Sequence, residues 1–222
     1  MNPASASHAV ASQSPESPHT PSSHQRSRTP WRGTGAVAEP DLERAAEGAR
    51  ILLEALGMDL DSESMARTPE RMAASLVELI SPRPFQLTTF PNDGGYDELI
   101  VARSIPVRSL CEHHMLPFVG TAHIGYLPGE RILGLSKLAR VLEHFSSRPQ
   151  VQERLTVQVA NWLDAQLGPV GVGVVIEAEH LCMTLRGVQA PGTTTITSSL
   201  LGVLRDDSRS RAEFLSLTHH PR

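Results

Sequence analysis

The sequence predicts an α+β protein with a largely antiparallel sheet. Helical spacing of apolar residues dominates the first ordered part of the chain, and strand-like segments rich in β-branched residues begin only near residue 99. Helices and strands then follow one another without the strict alternation that a parallel sheet requires. No internal repeat is visible, so we expect one folded unit rather than an array.

The first forty residues differ in composition from the rest. They are rich in serine and proline, and after Met1 their only large apolar residues are Val10, Trp31 and Val37. Such a segment buries too little apolar surface to offset its loss of conformational entropy. We therefore expect residues 1–40 to form a disordered tail, whose histidines are solvated rather than bound to metal.

Two helices are predicted next. Apolar residues recur at helical spacing over 42–56, with Asp41 as the expected N-cap and Gly57 as the stop. A second helix is expected over 68–80, where Thr68 is the predicted cap and is followed by proline and glutamate. Residues 81–95, with several prolines and glycines, are predicted to be a connection.

The remainder mixes strands with helices. The predicted strands are 99–110, 119–127, 172–176 and 193–197, with a turn at Pro128-Gly129. The predicted helices are one that Ser136 caps, one over about 151–167 and a short one over 209–217.

Composition excludes several classes of function. The chain of 222 residues is 40% hydrophobic but has no apolar run long enough to span a bilayer, so we expect no membrane partner. A net charge of −4 and only 4% aromatic residues argue against nucleic acid. The N-terminus shows no secretory pattern, so we expect a cytoplasmic protein whose two cysteines stay reduced.

A metal site is predicted at Cys111-Glu112-His113-His114. Cys111 and His114 can bind one ion across a turn, and Cys182 can supply a third ligand. Three protein ligands leave an open position, but His113 or His180 could be a fourth, so spacing alone does not separate a catalytic site from a structural one. If residues 180–182 are extended, His180 and Cys182 share a face. The alternative is a pair of buried cysteines among hydrogen-bonded histidines.

A phosphate site is predicted at Ser136, Lys137 and Arg140, since a helix N-terminus with nearby cations favours anions. Arg186 would join it along an extended strand. Solvated basic residues are the alternative explanation.

Gln152 and Glu153 begin the longest predicted helix. A carboxylate suits the paired donors on the N1/N2 edge of guanine. From the residues alone, however, the helix dipole is sufficient to explain an acid in a first turn.

Five strings in order resemble the GTP cyclohydrolase I family over roughly residues 41–220. They are CEHHMLPFVGTAHIGYLP, GLSKLARV, RPQVQERLT, EAEHLCMTLRGV and RAEFLSL. The resemblance implies hydrolysis of GTP to 7,8-dihydroneopterin triphosphate and formate, the first step of tetrahydrofolate and pterin biosynthesis.

The resemblance also implies a role for each candidate residue. Zinc would be bound by Cys111, His114 and Cys182, which leaves His113 and His180 for proton transfer. The triphosphate would be bound by Ser136, Lys137, Arg140 and Arg186, and guanine by Gln152 and Glu153.

The implied fold is the tunnelling fold, an antiparallel sheet with helices packed on one side. A helical segment over 41–98 would precede a zinc-containing catalytic domain over 99–222. Subunits of this family form a toroidal decamer whose active sites are shared between neighbouring chains.

Two other functions are compatible with the same residues. A non-catalytic, zinc-stabilised oligomer could bind a nucleotide or a pterin. Another enzyme could open the purine and release a different product, such as a cyclic phosphate. The first would be expected to lack a zinc ligand or an imidazole, whereas all five residues are present.

Overall fold

The computed structural model describes residues 39–219. The helices are α1 Leu42–Ala55, α2 Thr68–Ile80, α3 Ser136–Ser146, α4 Gln152–Leu167, α5 Leu181–Thr184, α6 Val203–Asp206 and α7 Ser208–Thr218. The strands are β1 Thr89–Pro91, β2 Ile100–Cys111, β3 Pro117–Leu127, β4 Arg131–Leu133, β5 Pro149–Gln150, β6 Gly171–His180 and β7 Thr194–Gly202. None of these helices is long and apolar enough to cross a membrane.

The main sheet has five strands in the order β5-β2-β3-β6-β7. The pairs β2–β3, β3–β6 and β6–β7 are antiparallel, while the two-residue β5 runs parallel to the end of β2. The prediction of an α+β protein with a largely antiparallel sheet is therefore confirmed.

The main core lies between one face of this sheet and helices α3 and α4. Alternate residues of β3 and β6 point to it because side chains alternate along a strand. Phe118, Ile124 and Val174 from the sheet are fully buried against Phe145 of α3 and Leu155 of α4. This packing fixes the start of α4 against the end of β2, where the candidate site lies.

The opposite face of the sheet is covered in part by α7, so the expectation that helices pack on one side only is wrong. Phe214 of α7 is fully buried. A Cβ atom added at Gly173 would lie 2.6 Å from the Phe214 ring, and one added at Gly125 would lie 3.0 Å from it. Two glycines that face away from the core thus leave the space that the ring fills.

Helix starts agree only partly with the sequence. Asp41 caps α1 as predicted, and its side chain accepts a hydrogen bond from the Arg44 backbone N–H at 2.9 Å. Thr68 and Ser136 are not caps: they are the first residues of α2 and α3, and the N-caps are Arg67 and Leu135. Neither of these N-caps can bond the first turn through a side-chain oxygen, so the rule that places a hydroxyl at the cap misplaced both starts by one residue.

A small second sheet was not predicted. β1 lies in the segment expected to be a connection and pairs antiparallel with β4, from Thr89 opposite Leu133 to Pro91 opposite Arg131. Three-residue strands are too short to show an alternating pattern. The expected tail over 1–40 lies outside the described residues, except for Glu39 and Pro40.

Candidate metal centre and nucleotide pocket

A cavity of about 250 Å³ lies where the turn after β2, the end of β6 and the start of α4 meet. It is lined by Cys111, His113, His114, Gln150, Val151, Gln152, Glu153, His180, Cys182, Met183 and Thr195. Seven of the eleven predicted site residues are among them.

Strand pairing explains why residues so distant in sequence meet here. The β2–β3 hairpin turns over residues 112–116, and the backbone N–H of Met115 donates to the Cys111 carbonyl at 2.8 Å. On one side Phe118 pairs with His180, which brings the end of β6 beside this turn. On the other side Cys111 pairs with Gln150, which brings the start of α4 beside it.

A Cys–His–Cys group lies at this junction and could bind a metal ion. One ligand atom from each of Cys111, His114 and Cys182 lies within 4.8 Å of the others, and Cys111 Sγ is 3.8 Å from His114 Nδ1. Zn–S and Zn–N bonds of about 2.3 and 2.0 Å at a tetrahedral angle place sulfur and nitrogen roughly 3.5 Å apart. The donor types and this spacing therefore fit zinc.

The two thiols lie next to each other. Burial raises the pKa of Cys182, and its hydrogen bond with Cys111 raises it further, while Arg186 opposes the shift. Both cysteines are free. A divalent cation would favour the thiolate form of Cys182 that this arrangement disfavours.

The expectation that residues 180–182 are extended is wrong. His180 is the last residue of β6, and Cys182 belongs to the short helix α5. Cys182 is still part of the metal group, since the turn of α5 and not strand alternation determines its position.

The two other imidazoles have different surroundings. His180 stacks on Phe118, with ring centroids 4.7 Å apart, and its Nε2 lies 2.7 Å from Gln152 Oε1. Burial lowers the pKa of His180, and the charge of Glu153 opposes this. His113 has a side chain that is 64% exposed, and its Nε2 lies 3.8 Å from a carboxylate oxygen of Glu112.

The start of α4 forms the other end of the cavity. Gln152 is 1% exposed, whereas Glu153 is exposed, lines the cavity and forms no ion pair with any other residue that the structure describes. The first N–H groups of a helix lack intrahelical partners, so the backbone here can donate hydrogen bonds as well. This end offers a carboxylate acceptor beside backbone donors.

The predicted phosphate residues do not line the cavity. Ser136 and Lys137 lie at the start of α3, and Arg140 donates to Glu143 at 3.1 Å. Arg186 is exposed and follows α5, so the extended strand that was expected to carry it towards the other three is absent. Within the described chain, no lysine or arginine lines this cavity.

The sequence analysis did not predict the contacts that connect the turn after Cys111 to α4. Arg154 forms an ion pair with Glu112, which immediately follows Cys111, and donates to Gln150 Oε1 at 2.9 Å. The hydrogen bond from Arg154 holds the pKa of Glu112 below its ordinary value. No periodic pattern relates residues 112 and 154, so the sequence contains no local signal of this pair.

A Cys–His–Cys group with two further imidazoles and a carboxylate around one cavity defines a candidate metal-dependent enzyme on an α+β scaffold. A sequence profile of GTP cyclohydrolase I matches residues 45–219. The chain belongs to the GTP cyclohydrolase I family.

Individual relatives agree with this assignment. The chain is 50% identical over 177 residues to GTP cyclohydrolase 1 of Aquifex aeolicus (strain VF5), covering 80% of this chain and 96% of the relative. It is 51% identical over 195 residues to GTP cyclohydrolase 1 of Synechococcus sp. (strain JA-3-3Ab), covering 84% and 85%. A solved structure of the archaeosine synthase QueF-Like in its apo form covers 47% of this chain and 93% of its own, with 16% identity and a TM-score of 0.38. That last likeness is too small to support an argument.

Proposed function

We propose that this protein converts GTP and water to 7,8-dihydroneopterin triphosphate and formate, the first step of tetrahydrofolate and pterin biosynthesis. The observation that carries the proposal is the convergence of the Cys–His–Cys group with His113, His180 and Glu153 on one cavity. The two GTP cyclohydrolase 1 relatives described above support the substrate.

Zinc is the proposed metal, held by Cys111, His114 and Cys182. Thiolate and imidazole donors select zinc over magnesium or calcium, which prefer oxygen. When bound, zinc supplies Lewis acidity that makes water a nucleophile at neutral pH.

The start of α4 is proposed to hold the base. The carboxylate of Glu153 can accept from N1–H and the N2 amino group of guanine together, in the bidentate manner in which carboxylates accept from arginine. The Gln152 amide is engaged within the protein, so its contact with the base would be made by its backbone N–H. This binding mode directs the imidazole ring of guanine towards the Cys–His–Cys group.

His113 and His180 are proposed to move protons. An imidazole side chain can both donate and accept a proton near neutral pH. Loss of C8 as formate requires protonation of a ring nitrogen, and the later rearrangement of the ribose requires further proton transfers. Two imidazoles beside one metal group can serve these successive transfers.

The triphosphate is proposed to be held by Ser136, Lys137, Arg140 and Arg186. A triphosphate needs cations, yet the described cavity contains none of them in its lining. These residues would therefore complete a cavity of a neighbouring copy, and we propose a toroidal homodecamer with shared sites, built on the tunnelling fold.

The proposed location is the cytoplasm, where cysteine ligands stay reduced. Within the chain we propose a helical segment over 41–98 and a catalytic domain over 99–222 that contains the zinc site. The first forty residues are proposed to be a tail outside the catalytic unit.

Incubation of purified, zinc-analysed protein with GTP tests the function. We expect equal amounts of formate and dihydroneopterin triphosphate, and loss of both in Cys182→Ser with its fold checked by circular dichroism. Bound zinc without formate would favour the non-catalytic binding protein. Formate with a product of different mass, such as a cyclic phosphate, would indicate the other purine-opening enzyme.

A further inference from the structure

The side-chain amide of Gln152 is buried, and its nitrogen lies within hydrogen-bond distance of three oxygens. Its Nε2 lies 3.0 Å from the Ile176 carbonyl, 2.9 Å from the Thr195 carbonyl and 3.1 Å from Thr197 Oγ1. The two strands that supply these oxygens, β6 and β7, are paired neighbours in the sheet. The amide is therefore fixed by the backbone of the sheet.

These partners determine which end of the amide is nitrogen. The two carbonyl oxygens can only accept hydrogen bonds, so the group that faces them must be the NH₂. A flipped amide would place its oxygen about 3 Å from two other oxygens, with no hydrogen between them. Oε1 must consequently point the other way, towards His180.

Hydroxyl groups extend this arrangement. Thr156 Oγ1 donates its only hydrogen to the backbone carbonyl oxygen of Gln152 at 2.8 Å. In its 2.6 Å contact with Thr197 Oγ1 it must therefore accept, and Thr197 must donate. Thr197 Oγ1 can then accept from Gln152 Nε2 at 3.1 Å, the longest of the three contacts among which the NH₂ group shares its two hydrogens.

The orientation of the Gln152 amide determines the tautomer of His180. Gln152 Oε1 has no hydrogen, so its 2.7 Å contact with His180 Nε2 requires that Nε2 carry one. We infer that Gln152 is a positioning residue that keeps His180 in the Nε2–H tautomer, so that Nδ1 is the nitrogen that exchanges a proton with substrate. The part of this inference that concerns catalysis rests on the proposed function.

This role differs from a side-chain contact with guanine in what it predicts. Loss of a base contact weakens binding and raises KM, whereas loss of the correct tautomer slows proton transfer and lowers kcat. Outer-shell partners of metal-bound imidazoles are typically worth about 10- to 100-fold in activity, and we expect an effect of similar size for His180.

The tautomer can be observed without activity. Long-range ¹H–¹⁵N spectra of the zinc-loaded, histidine-labelled protein report which ring nitrogen carries hydrogen, and His180→Gln assigns the signal by its loss. We expect protonated Nε2 and unprotonated Nδ1 in the neutral ring. The opposite tautomer, or a mixture of the two, would overturn the inference whatever the enzyme does.

Kinetics provide the second test. Gln152→Met has nearly the same shape but no acceptor, and we expect kcat to fall about 10- to 100-fold with KM for GTP within about threefold. Gln158→Met is the matched control, because Gln158 lies on the same helix but bonds Gln150.

The outcomes separate the two proposals. A wild-type protein that releases no formate contradicts the proposed function, while the spectra still decide the tautomer. An active wild type with a Gln152→Met variant that raises KM and keeps kcat contradicts the positioning role. A fall in kcat of equal size in Gln158→Met would show a general packing effect and contradict it as well.

Discussion

Glu143 is an acidic residue that forms ion pairs with two basic side chains on the described surface. Arg83 forms an ion pair with its carboxylate, and Arg140, a predicted phosphate ligand, donates to Oε2 at 3.1 Å. The hydrogen bond from Arg83 holds the pKa of Glu143 below its ordinary value; burial opposes this shift, and Arg140 adds to it. Glu143 therefore connects the loop before β1 to α3.

Replacement of Glu143 by Gln should lower stability in a pH-dependent manner. A carboxyl group whose pKa is depressed by folding stabilises the protein above its unfolded pKa of about 4.3 and loses this effect as pH falls through the folded value. We expect the variant to be less stable at pH 7 by about 1 kcal/mol or less, because Arg83 is largely exposed.

Urea unfolding of both proteins from pH 7 to pH 3 measures this difference. The difference should shrink once pH falls below the unfolded pKa of about 4.3 and should vanish only below the lower, folded pKa. Glu47→Gln is a control, since that carboxylate lies 3.9 Å from Arg50 and should contribute less. A difference that grows on acidification would contradict the assignment.

Individual site residues were predictable where the contact is local or the resemblance covers it. The spacing of Cys111 and His114 indicates a shared ion by itself, since one turn connects them. Cys182 lies beside Cys111 and His114 as expected, but a helical turn and not an extended strand positions it there. The pairing of Glu112 with Arg154 had no local signal and required the register of β2 with β5.

At the scale of elements, α7 depends on two glycines of the sheet. Gly173 lies beneath the Phe214 ring, and an added Cβ would lie 2.6 Å from it, which is closer than packed carbon atoms approach. We expect Gly173→Ala to destabilise the protein by about 1–3 kcal/mol, as overpacking does. Thermal or urea unfolding measures the loss.

Two further variants separate this clash from a general effect of replacing glycine. In the Phe214→Ala background the cost of Gly173→Ala should disappear, since the double-mutant cycle removes the clash. Gly48→Ala in α1, where nothing lies within 4 Å, should stabilise by about 0.5–1 kcal/mol. An undiminished cost in the Phe214→Ala background would contradict the packing explanation.

Long, periodic elements were predictable and short ones were not. The helices α1, α2, α4 and α7 and the strands β2 and β3 lie within a few residues of their predicted positions, whereas β6 and β7 end several residues later than predicted. β1 and β4 were missed because strands of three residues are stabilised by each other and have no pattern of their own. The face that α7 covers could not be predicted, since it depends on a ring that meets two glycines from different strands.

At the scale of the whole molecule, shared sites predict complementation. Cys182→Ser removes a proposed metal ligand, and Lys137→Ala removes a proposed phosphate contact from a different part of the chain. If neighbouring copies each supply one of these parts, mixed oligomers regain intact sites. Random mixing in equal amounts should restore about one quarter of wild-type activity. Each site then has a chance of about one half of an intact Cys182 and, independently, about one half of an intact Lys137 from its neighbour.

The controls are each variant alone and a mixture of the two variants that is never exposed to dissociating conditions. Light scattering should show a decamer for both variants before mixing. Activity that does not rise after dissociation and reassembly would indicate that one chain supplies both parts of its own site. A monomer by light scattering would contradict the shared-site proposal directly.

The parallel pairing of Cys111 with Gln150 has a consequence for the choice of base. This register fixes the position of Cys111 relative to the start of α4, so the distance between Glu153 and the Cys–His–Cys group is set by the sheet. On the proposed binding mode, a bicyclic base held by Glu153 at its far edge would present C8 towards the Cys–His–Cys group. A pyrimidine nucleotide gripped by the same carboxylate would end short of it, so ring size as well as hydrogen bonding would exclude it from reaction.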